Sequence, residues 1–139
     1  MVHVANVDRS AAFYALLGYS CQSRFSNDHG VTNWAMIASG NARMMLARAT
    51  APVVPEDQAV LFYMYSQNVK QLREHLLQNG LEDAGDPPGE GNADKFARAV
   101  PCSVVFEIVR RFYMPHGELR IHDPDGYCIL VGDTGEHNG

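Results

Sequence analysis

The sequence predicts a mixed α+β fold with an internal duplication, and three observations indicate it. Apolar and polar residues alternate in eight strand-like runs, whereas two other stretches carry apolar residues at helical spacing. The order strand, helix, strands occurs twice, before and after a proline-containing stretch at 51–57. A single shift along the chain also places Asn6-Val7 on Asn68-Val69 and Gly18 on Gly80, which is a weak internal repeat.

These observations predict one domain over 1–139 with two modules. We expect module one at about 1–50, a linker at 51–57, module two at about 58–133 and a C-terminal tail at 134–139. A chain of this length buries roughly 70% of its extended surface, which is enough for one hydrophobic core.

Module one begins with a short strand over 2–6. Asp8 stands where a helix N-cap is expected, because its carboxylate can accept hydrogen bonds from free backbone N–H groups. Apolar residues then follow at helical spacing up to Gly18, which is a suitable C-terminal stop. Three strand-like runs complete the module, at 19–25, 31–37 and 42–48.

Module two repeats the strand and the helix, at 60–66 and 69–77, and Asn79-Gly80 ends the helix. The stretch 81–104 is the least regular, with a loop at 86–92. A loop of this length in a compact domain often forms a lid, or else is mobile. Strand-like alternation resumes over 104–113, and Met114 to Gly117 is predicted to turn the chain.

The end of module two reads as a β-hairpin. Leu119 and Ile121 alternate with Arg120 and His122, and the run 127–131 is rich in aromatic and β-branched residues. Between them stands Asp-Pro-Asp-Gly at 123–126, in which proline pre-sets the backbone angle and glycine favours the turn.

Composition restricts the class of protein. The 139 residues are 46% hydrophobic and 19% charged, as in ordinary globular proteins, and no apolar run is long enough to span a membrane. A net charge of −5 argues against nucleic-acid binding. Three cysteines without metal-like spacing indicate reduced thiols and a cytoplasmic protein.

Two motifs resemble those of the glyoxalase, bleomycin-resistance and dioxygenase superfamily, the vicinal oxygen chelate proteins. They are Arg9 to Tyr14 with Leu17 to Tyr19, and Gly117 to Arg120 with Asp123 to Gly126. The resemblance covers nearly the whole chain and departs at the insert 81–104. It implies two βαβββ modules forming a half-open, barrel-like sheet around a cleft. It also implies a homodimer, in which both chains often build the cleft.

The superfamily's metal enzymes hold a divalent ion with His, Glu or Gln on the first, fourth, fifth and eighth strands. Aligned on Phe13-Tyr14, the first of these positions falls before Met1, and His3 lies on the same strand face. The other three positions fall within 44–47, near Val60-Leu61 and at Leu130, none of which has a ligand side chain. We therefore expect no metal and no other cofactor.

Without that metal, the chain resembles the metal-free branch, whose bleomycin-binding members sequester a drug and catalyse nothing. We predict a small-molecule-binding protein that binds an aromatic ligand in an aromatic-lined cleft without a catalytic metal. The net negative charge of the chain is compatible with a cationic ligand. No catalytic residue is assigned. The predicted ligand-binding residues are His3, Trp34, Met36, Met45, Tyr63, Tyr65, Phe112 and Glu118.

Two other functions remain open. The first is a metal-dependent glyoxalase-type lyase or isomerase with a displaced metal site that uses His3 and other histidines. The second is a structural or interaction domain whose cleft is filled by its own side chains. Plainer interpretations also stand for the candidates: Trp34 and the methionines as core, Glu118 as a solvated strand-end carboxylate, Cys128 as a buried inert thiol and His122 as a surface residue.

Overall fold

The computed structural model describes residues 1–54, 60–87 and 103–135. The chain divides into two compact units, at 1–53 and 54–139. Residues 55–57 of the predicted linker, the greater part of the predicted loop at 81–104, and the end of the predicted tail lie outside the described residues. No helix in the described part of the chain is long and apolar enough to span a membrane.

The first unit has βαβββ topology. Its elements are β1 (Val2–Val4), α1 (Val7–Ala15), β2 (Ser20–Ser26), β3 (Thr32–Ser39) and β4 (Ala42–Arg48). The sheet order is β1-β4-β3-β2, with β1 parallel to β4 and the other pairs antiparallel. Helix α1 covers one face of this sheet, where Val4, Ile37 and Leu46 are fully buried.

Helix α1 is capped by Asn6, and the prediction that Asp8 is the N-cap was wrong. Asn6 has extended backbone angles, and its side-chain oxygen accepts from the backbone N–H of Arg9 at 2.9 Å. Asp8 lies two residues later, within the first turn, where it pairs with Arg24 at 2.6 Å and accepts from the Thr32 hydroxyl at 3.0 Å. A carboxylate in the first turn is still favoured by the helix dipole.

The second unit repeats this topology with additional strands. Its elements are β5 (Leu61–Ser66), α2 (Val69–Gln78), β6 (Glu82–Asp83), β7 (Val104–Val105), β8 (Val109–Arg111), β9 (Met114–His122) and β10 (Cys128–Asp133). The sheet order is β5-β10-β9-β7-β6, and β8 also pairs with β9. Strand β5 is parallel to β10, as β1 is to β4, so the predicted α+β fold of two βαβββ modules is confirmed.

The predicted strand at 104–113 is interrupted, and the turn predicted at Met114 to Gly117 lies elsewhere. The chain turns at Phe112 and Tyr113, and β9 runs on through 114–117. Gly117, which resembled a turn residue, instead allows a close approach: a Cβ atom there would lie 2.8 Å from Cγ2 of Ile108. Its φ of 122° is also one that few other residues adopt.

The predicted hairpin of β9 and β10 is confirmed, with His122 opposite Cys128. The Asp123 carboxylate accepts from the backbone N–H groups of Asp125 and Tyr127, both at 2.9 Å, and Gly126 has a φ of 84°. Asp123 is almost fully buried, and these hydrogen bonds compensate its carboxylate for the loss of water.

Candidate ligand-binding site

The two faces of the second sheet differ in chemistry. Alternate residues of β9 and β10 point toward α2, and Leu119, Ile121 and Ile129 are fully buried there. We call the opposite face the open face of the second unit. Strand register places Tyr63, Leu130 and Arg120 side by side on it, with Tyr65, Gly132 and Glu118 in the neighbouring row.

Glu118 is the central polar group of this open face. It is only 6% exposed, and its two oxygens have separate partners. The Tyr63 hydroxyl donates to Oε2 at 2.8 Å, and the Tyr113 hydroxyl donates to Oε1 at 3.3 Å. Nε of Arg111 lies 3.8 Å from Oε1. A buried carboxylate is stable only with such partners, so the two tyrosines and Arg111 fix its position.

Burial raises the pKa of Tyr63, and the hydrogen bond to Glu118 raises it further. The pKa of Tyr113 is raised by burial and by the negative charge of Glu118. Both phenols therefore remain protonated donors at neutral pH, and the pair serves to position Glu118.

Arg120 and His122 form a second polar cluster on the same strand. Nε of Arg120 donates to Nε2 of His122 at 3.0 Å, and the guanidinium carbon lies 5.6 Å from the ring centroid of Phe106. Burial and the neighbouring Arg120 charge lower the pKa of His122 to about 4. His122 is therefore a neutral acceptor at pH 7, and the prediction that it lies on the surface was wrong, because it is 6% exposed.

A cavity of about 150 Å³ opens beside these clusters. Its walls mix apolar side chains with two arginines and two glutamates, and all of them belong to the second unit. The lining residues are Pro87, Glu107, Val109, Arg111, Tyr113, Glu118, Arg120 and Leu130. Four of these eight side chains are charged, so the wall combines polar groups with a smaller apolar surface.

The structure separates the predicted ligand-binding residues into two groups. His3, Trp34, Met36 and Met45 lie on the first sheet, on the face opposite α1. Trp34 is opposite Ala47, which is opposite His3, and Met36 is directly opposite Met45. His3 is exposed and the other three are half-buried.

Tyr63, Tyr65 and Glu118 lie on the open face of the second unit. Glu118 is not a solvated strand-end carboxylate, because β9 begins four residues earlier and the side chain is buried. Phe112 is 96% exposed in the β8–β9 turn, and its neighbour Tyr113 lines the cavity.

Sequence reasoning missed Arg111, Tyr113 and Arg120 as cavity residues. Part of the signal was present, since Glu118, Arg120 and His122 alternate on one side of a predicted strand. Tyr113 was missed because the turn was predicted after it rather than at it.

The residues that could bind a metal are scattered. Among residues 1–54, 60–87 and 103–135, no three His, Cys, Asp or Glu side chains are grouped closely enough to hold an ion. Leu130, at the position where the superfamily's eighth-strand acid aligns, contributes an apolar side chain to the cavity wall. Burial raises the pKa of Cys128, as expected for an inert thiol.

Solved structures of antibiotic-binding proteins share this fold. A bleomycin resistance determinant encoded on the transposon Tn5 matches with a TM-score of 0.68 and 13% identity, over 96% of this chain and 93% of that one. The bleomycin-binding protein of bleomycin-producing Streptomyces verticillus, solved with copper(II)-bleomycin, gives 0.61 and 14%, over 94% and 89%. An antibiotic binding protein from Streptomyces sp. CB03234 gives 0.57 and 14%, over 95% and 91%.

These likenesses confirm the fold that the sequence resemblance implies, and at such identities they show the fold alone. No protein-family model matches the sequence, and no curated protein matches it.

Proposed function

We propose that this chain binds an aromatic small molecule in the cavity of the second unit and holds it without a catalytic metal. The observation that carries the proposal is the cavity itself, in which Val109, Leu130 and the ring of Tyr113 provide apolar surface beside a fixed Glu118. A cavity of about 150 Å³ has the size that accommodates a benzene ring in another protein.

Sequestration is the role that the fold supports. Matching structures include proteins that bind bleomycin and another that binds an antibiotic. The carboxylate of Glu118 is held in place, since the hydroxyls of Tyr63 and Tyr113 both donate to it. A carboxylate held in this way can orient a ligand without transferring a proton to or from it. The arrangement therefore suits binding better than catalysis.

A neutral aromatic probe tests this function. We expect benzamide to shift the backbone amide signals of Val109, Leu130 and Tyr113 in a ¹H–¹⁵N NMR titration of the full chain. Leu130→Phe should fill the cavity and weaken the shifts at least tenfold. Leu61→Phe is the matched control, because Leu61 is exposed on β5 and does not line the cavity.

If benzamide and its charged analogues all leave these signals unchanged, the cavity does not take aromatic ligands and the proposal fails. Equal weakening by Leu130→Phe and Leu61→Phe would contradict the cavity as the site.

We also propose that the chain forms a homodimer, as the resemblance implies. Sedimentation velocity tests this directly, and a single species at the monomer mass across micromolar concentrations would contradict it.

A further inference from the structure

The charge environment of Arg120 differs from that of Arg111, the other arginine of the cavity wall. Nε of Arg111 lies 3.8 Å from Glu118, and Glu107 is paired with Arg73 at 3.1 Å. Within the described ranges, no carboxylate lies within 4 Å of the Arg120 guanidinium. Both glutamates of the cavity wall therefore have a nearby cation, and the charge of Arg120 is not matched by either.

The orientation of Arg120 is fixed by neighbours that carry no charge. Its Nε donates to His122, and its guanidinium lies near the ring of Phe106, which is fully buried. Because His122 is buried and neutral, it accepts this hydrogen bond without neutralising the arginine. The hydrogen bond uses only one of the five N–H donors of the guanidinium, and the two Nη groups carry the rest.

We infer that the ligand of this cavity carries an acidic group, a carboxylate or a similar oxyanion, which pairs with the guanidinium of Arg120. The inference rests on the proposed function and specifies the class of its ligand. A planar guanidinium binds a carboxylate through two parallel hydrogen bonds, and these are among the stronger polar contacts in proteins. The apolar part of the ligand then lies against Val109 and Leu130.

The overall charge of the chain does not oppose this pairing at short range. The net charge of −5 is spread along the sequence, and at physiological ionic strength charges more than about 8 Å away are largely screened when exposed to solvent. A partly buried pair inside a cavity is screened much less. The local groups therefore decide which ligand charge is preferred.

Three probes of nearly equal shape separate the possibilities in the unmodified protein. Benzoate is an anion, benzamide is neutral and benzamidine is a cation. We expect benzoate to bind at least tenfold more tightly than benzamide, and benzamidine to bind most weakly, as measured by NMR titration of the full chain. Addition of salt should weaken benzoate binding more than benzamide binding.

Variants identify the group responsible. Arg120→Gln should weaken benzoate binding by roughly ten- to a hundredfold and remove most of the preference for benzoate over benzamide. Arg120→Lys should retain part of the benzoate preference, because it keeps the charge and loses the planar fork. Arg110→Gln is the matched control, since Arg110 is exposed on the same strand as Arg111 and does not line the cavity.

The outcomes distinguish this inference from the proposed function. Benzamide or benzamidine binding as tightly as benzoate would overturn the acidic ligand and leave aromatic binding standing. A benzoate preference that survives Arg120→Gln would overturn the role of Arg120. Failure of all three probes to bind would overturn the proposed function itself.

Discussion

Glu118 shows how much of the candidate site depends on single hydrogen bonds. The carboxylate is almost fully buried, and two phenol groups compensate for its lost hydration. The same contacts hold Tyr63 and Tyr113 on either side of the carboxylate. A substitution at any one of these residues therefore affects the stability of the unit and the shape of the cavity together.

We expect Tyr63→Phe to lower the free energy of unfolding by about 1–2 kcal/mol, because it removes the 2.8 Å hydrogen bond to a buried acceptor. Tyr65→Phe is the control. Tyr65 is 67% exposed, and removing its hydroxyl should change stability by less than about 0.5 kcal/mol. Urea denaturation followed by circular dichroism measures both. Equal effects of the two substitutions would contradict the role assigned to the Tyr63 hydroxyl.

His122 gives the fold a dependence on pH. Its pKa is lowered to about 4 from an ordinary 6.5, because burial and the Arg120 charge disfavour the imidazolium. A lowered pKa means that the unfolded chain takes up the proton first, so the contribution to stability is fully present above pH 6.5. It is lost as pH falls from 6.5 through about 4.

We therefore expect the free energy of unfolding of the wild type to fall over this interval by up to about 3 kcal/mol on account of His122. His122→Gln keeps a hydrogen-bond acceptor for Arg120 and removes the titrating group. The variant should lose less stability than the wild type between pH 7 and pH 4. Urea denaturation at several pH values measures the difference, and parallel curves for the two proteins would refute the assignment.

At the scale of elements, the two helices begin and end in the same way. Asn6 and Asn68 are both N-caps, and each side chain accepts a hydrogen bond from the backbone N–H three residues later. Gly18 and Gly80 both adopt positive φ after the helix. These are the residues that the weak repeat in the sequence brought together. The residues that repeat are therefore those that begin and end the helices, and not those on the packing faces of the helices.

We expect Asn68→Ala to lower the free energy of unfolding by about 1 kcal/mol, because the backbone N–H of Gln71 loses its 3.1 Å acceptor. Asn68→Asp keeps an oxygen in the same position and should remain within about 0.5 kcal/mol of the wild type. Urea denaturation distinguishes the two variants. If the alanine and aspartate variants are equally unstable, the loss does not arise from the cap.

Elements were predicted from the sequence more successfully than their junctions. The two helices, the β9–β10 hairpin and the duplication follow from periodicity and turn residues, which are local signals. The cap at Asn6 was missed because Asp8, two residues later, has an equally suitable side chain. The β8–β9 turn was misplaced because Gly117 was taken for a turn residue, whereas it lies within β9 and closely approaches Ile108. A contact of this kind leaves no local signal in the sequence.

One long-range contact at a helix start illustrates the same limit. Asp133, at the end of β10, accepts from the backbone N–H of Val69 at 3.0 Å and from that of Gly135 at 2.7 Å. It is 2% exposed. The first turn of α2 is thus fixed by a residue 64 positions away in the sequence, which only the parallel pairing of β5 with β10 brings close.

At the scale of the whole molecule, duplication has produced two sheets with different chemistry on equivalent faces. The face opposite α1 carries His3, Trp34 and paired methionines, which are mostly apolar. The open face of the second unit carries Glu118, Arg120 and His122, with tyrosines beside them. The βαβββ topology therefore determines which face of each sheet is not covered by a helix. The side chains that point to that face from alternate positions of its strands determine its chemistry.

Metal content decides between binding and metal-dependent catalysis for the whole chain. The three positions of this sequence that align with the superfamily's ligands have methionine, leucine, valine or alanine side chains, which offer no oxygen or imidazole to a divalent ion. We therefore expect the purified, untagged protein to contain well below one equivalent of divalent metal. Added zinc, nickel or manganese should leave its thermal midpoint unchanged, because an ion that binds only the folded state would raise it.

Elemental analysis and a thermal-shift titration measure these quantities on the intact chain. Stoichiometric metal bound with micromolar affinity or tighter would contradict the metal-free proposal and favour a metal site displaced from the superfamily's usual positions. In that event His3→Ala provides the next comparison, because His3 is the histidine on the strand that holds the superfamily's first ligand. Loss of the metal in His3→Ala, with retention in His29→Ala, would place the ion on the first sheet and direct assays to glyoxalase-type reactions.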